Sequence, residues 1–117
     1  MTSVDAAVTA RVIAMLIERF PQAFSLDERQ KKPLKVGIFR DLMLALDGSV
    51  NEFALSTALA AYCSTLGYLK RCREGRKRIN LAGEWVGEVS AAEAKFARCQ
   101  RDRLEDVAAL KRCRFRV

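Results

Sequence analysis

The chain has 117 residues, of which 50% are hydrophobic and 30% are charged, with a formal net charge of +7 at pH 7. This composition is typical of a folded protein and excludes an intrinsically disordered chain. A positive excess of this size favours polyanionic partners, nucleic acid first and acidic membranes or proteins second. The length suits one domain at residues 1–117, with a core at about residues 8–113.

The sequence contains no stretch long enough to cross a bilayer and no secretory signal, so we expect a cytoplasmic protein without a membrane partner. It has four cysteines and no histidine. Their spacing contains no C-x-x-C pair, which favours reduced thiols, although a four-cysteine zinc site stays open as an alternative. The cysteines are Cys63, Cys72, Cys99 and Cys113. We expect no cofactor and no metal.

Apolar residues recur at helical spacing at the start of the chain. A stripe from Val8 to Phe20 predicts a first helix, which Pro21 ends. An irregular segment follows, in which Phe24 and Leu26 are the expected hydrophobic anchors.

Two further helices are predicted in the middle of the chain. The second helix is expected to begin near Lys35 and to end at Asp47, and its apolar face comprises Ile38, Phe39, Leu42, Met43 and Leu46. Ser49 and Glu52 have the spacing of a capping box, which predicts the start of a third helix. The core stripe of that helix comprises Leu55, Leu59, Tyr62, Cys63 and Leu66.

The periodicity then changes to the alternation of a half-buried strand. Residues 78–81 and 84–86, separated by a possible turn, predict a short β-hairpin. A second capping box, Ser90 with Glu93, predicts the start of a last helix. The thinner apolar stripe of that helix comprises Phe96, Ala97, Leu104, Val107, Ala108 and Leu110. The predicted fold is therefore mostly α with a small β-hairpin, an α+β class.

The densest positive charge lies directly before the hairpin and follows Tyr68. The run comprises Lys70, Arg71, Arg73, Arg76, Lys77 and Arg78, with Glu74 as its one acidic residue. Cations bind phosphates and an aromatic ring can stack on a base, so this run predicts a nucleic-acid-binding loop. A solvated charged loop is the open alternative.

A second candidate site is the predicted start of the second helix, from Pro33 to Gly37. Free backbone N–H groups and the helix dipole favour an anion at such a position. Gly37 would permit close approach of a ligand, and Lys35 adds a full charge. An ordinary helix start is the alternative. Lys32 belongs to a short basic run directly before this site.

Signals for catalysis are weak. Without histidine the chain has no side chain that titrates near neutral pH as a general base. The carboxylates before the last helix are scattered rather than clustered, and no glycine-rich phosphate-binding motif is present. We therefore expect a binding protein rather than an enzyme, with no small-molecule substrate.

An ordered series of short motifs runs through most of the chain. It comprises Glu18-Arg19-Phe20-Pro21, Pro33-Leu34-Lys35-Val36-Gly37-Ile38-Phe39, Asp41-Leu42, Tyr68-Leu69, and Gly75-x-x-Arg78-x-x-Leu81-x-Gly83. This series resembles the ProQ/FinO family of bacterial RNA chaperones from about Val12 to Val89. The chain looks like a minimal version of it, without the linker and second domain of longer members.

The resemblance implies a ProQ/FinO-like fold and an RNA chaperone in post-transcriptional regulation. Such proteins bind structured small RNAs and mRNA 3′ ends, favouring a terminator hairpin with a 3′ uridine tail. By position, Lys35 and Gly37 match the helix start that takes the RNA 3′ end, and Tyr68 and Arg78 match an RNA-contacting tyrosine and arginine. We expect a monomer. The candidate RNA-binding residues are Lys32, Lys35, Gly37, Tyr68, Lys70, Arg71, Arg73, Lys77 and Arg78.

The chain departs from the family pattern at two places. Gly67 stands where a basic residue often precedes the tyrosine, and the third helix carries Ser56, Ala60 and Ala61 where the family often has outward arginines. Some duplex contacts are therefore expected to be missing or moved to other basic side chains. A DNA-binding or nucleoid-associated protein, and a module for an acidic protein partner, stay open as alternatives.

Overall fold

Residues 2–116 are described in the computed structural model, with side chains described for residues 6–110. Within that part of the chain lie five α-helices, one 3₁₀ turn and a two-stranded antiparallel sheet. In chain order they are α1 (Thr2–Arg19), the 3₁₀ turn (Glu28–Gln30), α2 (Ile38–Leu46), α3 (Glu52–Cys63), α4 (Leu66–Arg71), β1 (Lys77–Ile79), β2 (Trp85–Glu88) and α5 (Ala91–Arg116). The predicted class, mostly α with a small hairpin, is confirmed. None of the helices in the described residues has the length and apolarity that crossing a bilayer requires.

The centre of the core lies between α1, α2 and α3. Leu16 of α1, Leu42 of α2 and Leu55 of α3 are fully buried there. Burying a leucine side chain contributes about 1.5–3 kcal/mol, so these contacts account for much of the drive to fold. The predicted first helix is confirmed: α1 ends at Arg19, two residues before Pro21.

Of the two hydrophobic anchors predicted between α1 and the 3₁₀ turn, Phe24 and Leu26, only Phe24 anchors the segment. Phe24 is buried and packs edge-on against Tyr62, with ring centroids 5.1 Å apart. Leu26 is 83% exposed, so its prediction as an anchor was wrong. The Asp27 side chain accepts a hydrogen bond from the Arg29 N–H and caps the 3₁₀ turn, and Leu26 lies on the outside of this turn.

Helix α2 begins later than predicted, at Ile38 rather than near Lys35. The preceding residues 33–35, here called the strap, are extended and run alongside β1. The Lys35 N–H donates to the Ile79 carbonyl at 2.8 Å, and the Ile79 N–H donates to the Pro33 carbonyl at 3.1 Å. This long-range pairing competes with helix formation and delays α2. The predicted end of α2 at Asp47 is confirmed. Asp47 has a left-handed backbone with φ of 46°.

Helix α3 is capped by a different residue from the one predicted. The Asn51 side chain accepts hydrogen bonds from the N–H groups of Phe53 and Ala54, at 2.9 and 3.1 Å. The capping box between Ser49 and Glu52 was therefore wrong, because the chain enters the helix two residues later. Leu66, predicted to extend the α3 stripe, belongs to the separate helix α4.

The hairpin and its link to α5 follow the sequence signals. Strands β1 and β2 pair with Arg78 opposite Gly87 and Ile79 opposite Trp85, with a bulge between these pairs. The capping box of α5 is confirmed by reciprocal hydrogen bonds between Ser90 and Glu93.

The predicted apolar stripe of α5 is wrong as a buried face. Among its members with described side chains, Ala97 is buried, whereas Phe96, Val107 and Leu110 are exposed. Side chains from residue 102 to residue 110 are all exposed, so within the described side chains no neighbouring element covers this part of the stripe.

Candidate nucleic-acid interface

The structure divides the predicted basic loop between four environments. Lys70 and Arg71 form the last turn of α4, and Lys77 and Arg78 lie in β1, so the run is not one loop. Arg71, Arg76 and Lys77 line one cleft, Arg73 lines a groove against α5, and Arg78 turns inward. Lys70 is exposed at the end of α4. Sequence position alone does not separate these environments.

A cleft of about 490 Å³, here called the basic cleft, is lined by six basic side chains. Its basic lining residues are Arg29, Lys31, Lys32, Arg71, Arg76 and Lys77. The other lining residues are Gln30, Pro33, Gly75, Ile79 and Trp85. No acidic side chain lines this cleft within the described part of the chain. Two chain segments that are distant in sequence, one before the strap and one around the hairpin, meet to form it.

The cations of the basic cleft differ in how far they are already neutralised. Lys31 pairs with Glu28 at 2.8 Å, and Lys77 pairs with Glu88 at 2.6 Å. Among residues 6–110, three of the lining cations have no carboxylate within salt-bridge distance: Lys32, Arg71 and Arg76. The buried Nε of Arg71 also lacks a hydrogen-bond partner. These three side chains keep their charge available for an anionic ligand.

Lys31, which belongs to the short basic run with Arg29 and Lys32, is a structural residue. It is only 5% exposed, and its ammonium contacts the Thr65 hydroxyl at 3.0 Å and lies 4.0 Å from the Tyr62 ring centroid. Burial raises the pKa of Glu28, but hydrogen bonds with Lys31 and Thr65 outweigh it and hold that pKa below its ordinary value. Through the buried Lys31 ammonium, this pair ties the 3₁₀ turn to the end of α3.

Tyr68 is buried beneath the strap. Its ring is 7% exposed, and its hydroxyl accepts a hydrogen bond from the Leu34 N–H at 3.0 Å. Burial raises the pKa of Tyr68 well above its usual range, so the hydroxyl stays neutral. The ring face that was expected to stack on RNA is therefore covered by protein, and the stacking role assigned to Tyr68 is corrected to one of supporting the strap.

Arg78 holds the same strap residue from the other side. Its Nη1 donates to the Leu34 carbonyl at 2.6 Å, and its Nη2 lies 3.3 Å from Glu93 of α5. The side chain is 14% exposed, and its buried Nε lacks a partner in the described residues. Arg78 therefore links the strap, β1 and α5, and little of its guanidinium faces solvent.

The predicted anion site at the helix start is only partly present. Gly37 has φ of 88°, is exposed, and leaves open space around its backbone. However, the Lys35 N–H is used by Ile79, and the Ile38 N–H donates to the Lys35 carbonyl at 3.1 Å. The Lys35 ammonium pairs with Asp41 at 2.8 Å. A ligand would meet Lys35 and Gly37 at the surface, where the N–H groups of Lys35 and Ile38 are already used by protein acceptors.

Arg73 contributes to a second and smaller groove, of about 270 Å³, between α4 and α5. Arg98 and Arg101 of α5 line the same groove, together with Glu74. The acidic side chain and the pairing of Arg101 with Glu105 at 3.7 Å reduce its positive charge. Cys72, at its base, is buried, and burial raises the pKa of its thiol.

One departure from the family pattern has a local cause. Gly67 packs directly against the Glu28 side chain, so a larger residue there would clash with the 3₁₀ turn. The outward positions Ser56, Ala60 and Ala61 are exposed and uncharged. This face of α3 therefore offers no cations, and positive charge concentrates at the basic cleft instead.

Trp85 is the residue that sequence reasoning missed. It lies in β2 at the edge of the basic cleft, is 73% exposed, and has the Lys77 ammonium 5.3 Å from its ring centroid. A single tryptophan in a short strand beside a basic run was the available signal. The sequence assigned Trp85 only to the returning strand of the hairpin.

Comparison with known proteins places the chain in one family. A profile of the ProQ/FINO family matches residues 6–114. RNA chaperone ProQ of Pasteurella multocida (strain Pm70) is 44% identical over 88 residues, which are 74% of this chain and 41% of that protein. RNA chaperone ProQ of Shewanella baltica (strain OS223) is 39% identical over 106 residues, which are 89% of this chain and 50% of that protein. The chain thus spans half or less of the length of these relatives.

Solved structures agree with this assignment. The NMR structure of a ProQ homolog from Legionella pneumophila superposes with a TM-score of 0.72 at 32% identity and covers 81% of each chain. NMB1681 from Neisseria meningitidis MC58, a FinO-like RNA chaperone, superposes with a TM-score of 0.63 at 28% identity and covers 76% of this chain and 88% of that one. The matched profile, the similar relatives and the shared fold together show that this chain belongs to the ProQ/FINO family.

Proposed function

We propose that this chain is an RNA-binding chaperone and that the basic cleft is its main phosphate-binding surface. The observation that carries this proposal is a lining of six basic side chains without an acidic one. Relatives at 39–44% identity are named RNA chaperones, which favours RNA among the polyanions that suit such a cleft. The proposed activity is binding and remodelling of RNA, not catalysis.

The charge pattern explains why the cleft would attract a nucleic-acid backbone. Lys32, Arg71 and Arg76 have no carboxylate partner among the residues described, so a phosphate would not have to displace one. Each phosphate that is neutralised releases condensed counterions, which supplies a sequence-independent part of the affinity. Arginine adds paired donors that match phosphate oxygens.

We infer further that structured small RNAs and mRNA 3′ ends are the ligands, in particular a terminator hairpin with a 3′ uridine tail. Lys35 is half-buried at the end of the strap and Gly37 is exposed just beyond it, at the position that the family resemblance assigns to the RNA 3′ end. Tyr68 and Arg78 support that surface from beneath by holding Leu34. The protein is proposed to act as a monomer, as one domain and in the cytoplasm.

Competition binding tests the choice between RNA and the two alternatives. A labelled hairpin RNA with a 3′ uridine tail is bound to the protein and then displaced by unlabelled RNA or by DNA of the same sequence. We expect RNA to compete at least tenfold better, because the 2′-hydroxyl distinguishes the two. Equal competition would favour the DNA-binding alternative. Capture of protein partners that survives nuclease treatment would favour the acidic-partner alternative.

The 3′-end assignment has its own test. The same hairpin bearing a 3′-phosphate is compared with the free 3′-hydroxyl form. We expect weaker binding of the phosphorylated RNA. Equal affinity would defeat the assignment of the 3′ end to Lys35 and Gly37 while leaving RNA binding intact.

A further inference from the structure

Trp85 is largely exposed to solvent and makes little contribution to the hydrophobic core. Its ring is 73% exposed, whereas the residue opposite it in the sheet, Ile79, is buried. Strand β2 carries a bulge next to this pair, and bulges redirect side chains. An exposed tryptophan presents a large apolar and aromatic face to solvent, which is a common feature of binding surfaces.

The basic cleft beside Trp85 combines two kinds of surface. Pro33 and Ile79 are buried apolar residues that line it together with the cations. Its volume of about 490 Å³ lies within the range of about 300–1,000 Å³ that is typical of small-molecule sites. A nucleotide has the same division, since its base is flat and aromatic and its phosphate is anionic.

Two further observations concern the walls of the cleft. Arg71 lines the cleft with a buried Nε that lacks an acceptor in the described structure. The Lys77 ammonium lies 5.3 Å from the Trp85 ring centroid, where a cation–π contact steadies the ring. Lys77 is itself held by Glu88, so Trp85 is braced from one side while most of its surface stays open.

We propose that the basic cleft is a subsite for an unpaired nucleotide of the bound RNA, with the base stacked on Trp85 and the phosphate at Arg71 and Arg76. The proposal rests on the proposed RNA-binding function and adds to it a single-stranded ligand at a named place. An unpaired base is required because neighbours cover both faces of a base inside a duplex. A free mononucleotide has the same chemistry, so the test separates the two sources.

The chain contains one tryptophan, so fluorescence emission excited selectively at tryptophan, and not at the two tyrosines, reports on Trp85 alone. A hairpin RNA with a single-stranded 3′ tail and a 5′ label is titrated with the protein, and label anisotropy and tryptophan emission are recorded together. We expect emission to change over the same concentration range as anisotropy. Replacing the tail nucleotides by abasic ones should remove the emission change, because stacking needs the base.

Variants give a second, independent measurement. Trp85→Ala should weaken binding of the tailed hairpin roughly tenfold, within the range of base–aromatic stacking, and change binding of a blunt-ended duplex less than twofold. Trp85→Phe should restore most of the affinity. Phe53→Ala is the matched control, since Phe53 is 76% exposed on α3 and does not line the cleft. Thermal unfolding establishes that each variant is folded.

The outcomes separate this inference from the proposed function. RNA binding with unchanged emission and full affinity of Trp85→Ala would overturn the subsite while leaving RNA binding in place. Absence of any anisotropy change would overturn the proposed function itself. Emission that responds to uridine monophosphate alone at concentrations as low as those of RNA would also overturn the proposal, because the cleft would then be a receptor for free nucleotides.

Discussion

Arg78 donates from Nη1 to the carbonyl oxygen of Leu34 across 2.6 Å, joining β1 to a residue 44 positions earlier in the chain. The N–H of the same leucine donates to the Tyr68 hydroxyl at 3.0 Å. Both backbone polar groups of Leu34 are therefore satisfied by side chains that the family resemblance associates with RNA. In this chain the two residues support the strap, and we propose that they influence RNA binding through it.

Tyr68→Phe tests this role directly. The change leaves the buried Leu34 N–H without an acceptor, which costs about 1–3 kcal/mol of unfolding free energy. Urea denaturation should show that loss, while RNA affinity measured well below the unfolding transition should fall less than threefold. Unchanged stability combined with a tenfold loss of affinity would instead mean that the hydroxyl contacts RNA.

Arg78→Lys is expected to act in the same direction. A lysine ammonium lacks the planar fork that reaches Leu34 and Glu93 together, so one of these contacts is lost. The urea midpoint should fall, and binding of tailed and blunt hairpins should weaken by similar factors. A loss restricted to RNAs with a free 3′-hydroxyl would show that Arg78 contacts the RNA end itself.

Salt dependence tests the basic cleft. With roughly four to six phosphate contacts, the slope of log affinity against log salt should be about −3 to −5. Arg71→Ala and Arg76→Ala should each reduce its magnitude by about 0.7 to 0.9. Lys95→Ala removes the same charge from an exposed position on α5 outside the cleft and should leave the slope unchanged. A slope near zero for the parent protein would rule out the cleft as the main binding surface.

Stability should fall in acid through carboxylates that are held ionised in the folded state. The pKa values of Glu28, Glu88 and Glu93 all lie below the ordinary 4.5. Their contribution is therefore fully present above pH 4.5 and is lost as the pH falls through the lower folded values. Urea midpoints at pH 7, 4.5 and 3 should decline in that order. Glu28→Gln should have a lower midpoint at pH 7 and a shallower decline, and an equally steep decline would exclude Glu28 as a contributor.

The cap of α3 can be checked with a matched pair of variants. Asn51→Ala removes the acceptor for two helix N–H groups and should cost about 1 kcal/mol. Ser49→Ala should change stability by less than about 0.5 kcal/mol, the usual range for exposed positions without a special contact. The reverse order would restore the capping box that the sequence predicted.

Local signals predicted the helix boundaries that depend on local interactions. Pro21, the Asp47–Gly48 end of α2 and the capping box of Ser90 with Glu93 act on residues within one turn, so the sequence contains the whole interaction. The start of α2 was misplaced because Lys35 pairs with Ile79, a residue far along the chain. Periodicity does not encode which distant strand will compete for an N–H group.

The sequence predicted that basic residues form the candidate site, but it did not predict how the fold arranges their side chains. The basic run does contribute Arg71, Arg76 and Lys77 to the cleft, but charge density does not tell which cation is already paired or buried. Arg78 is turned inward, and an aromatic residue next to cations was expected at Tyr68 and occurs instead at Trp85. These differences arise from burial, which depends on the tertiary packing of α4 and the hairpin.

The bridge between Leu34 and Ile79 also sets how far the walls of the basic cleft can separate. One wall comes from residues 29–33 and the other from residues 71–85, and the bridge joins the two segments where they meet. The amide hydrogens of Lys35 and Ile79 point across this junction, so they exchange with solvent only when it opens. An RNA strand that contacted both walls would bind only the closed junction and would therefore stabilise it against opening. The exchange rates of these two amides would then measure the occupancy of the cleft.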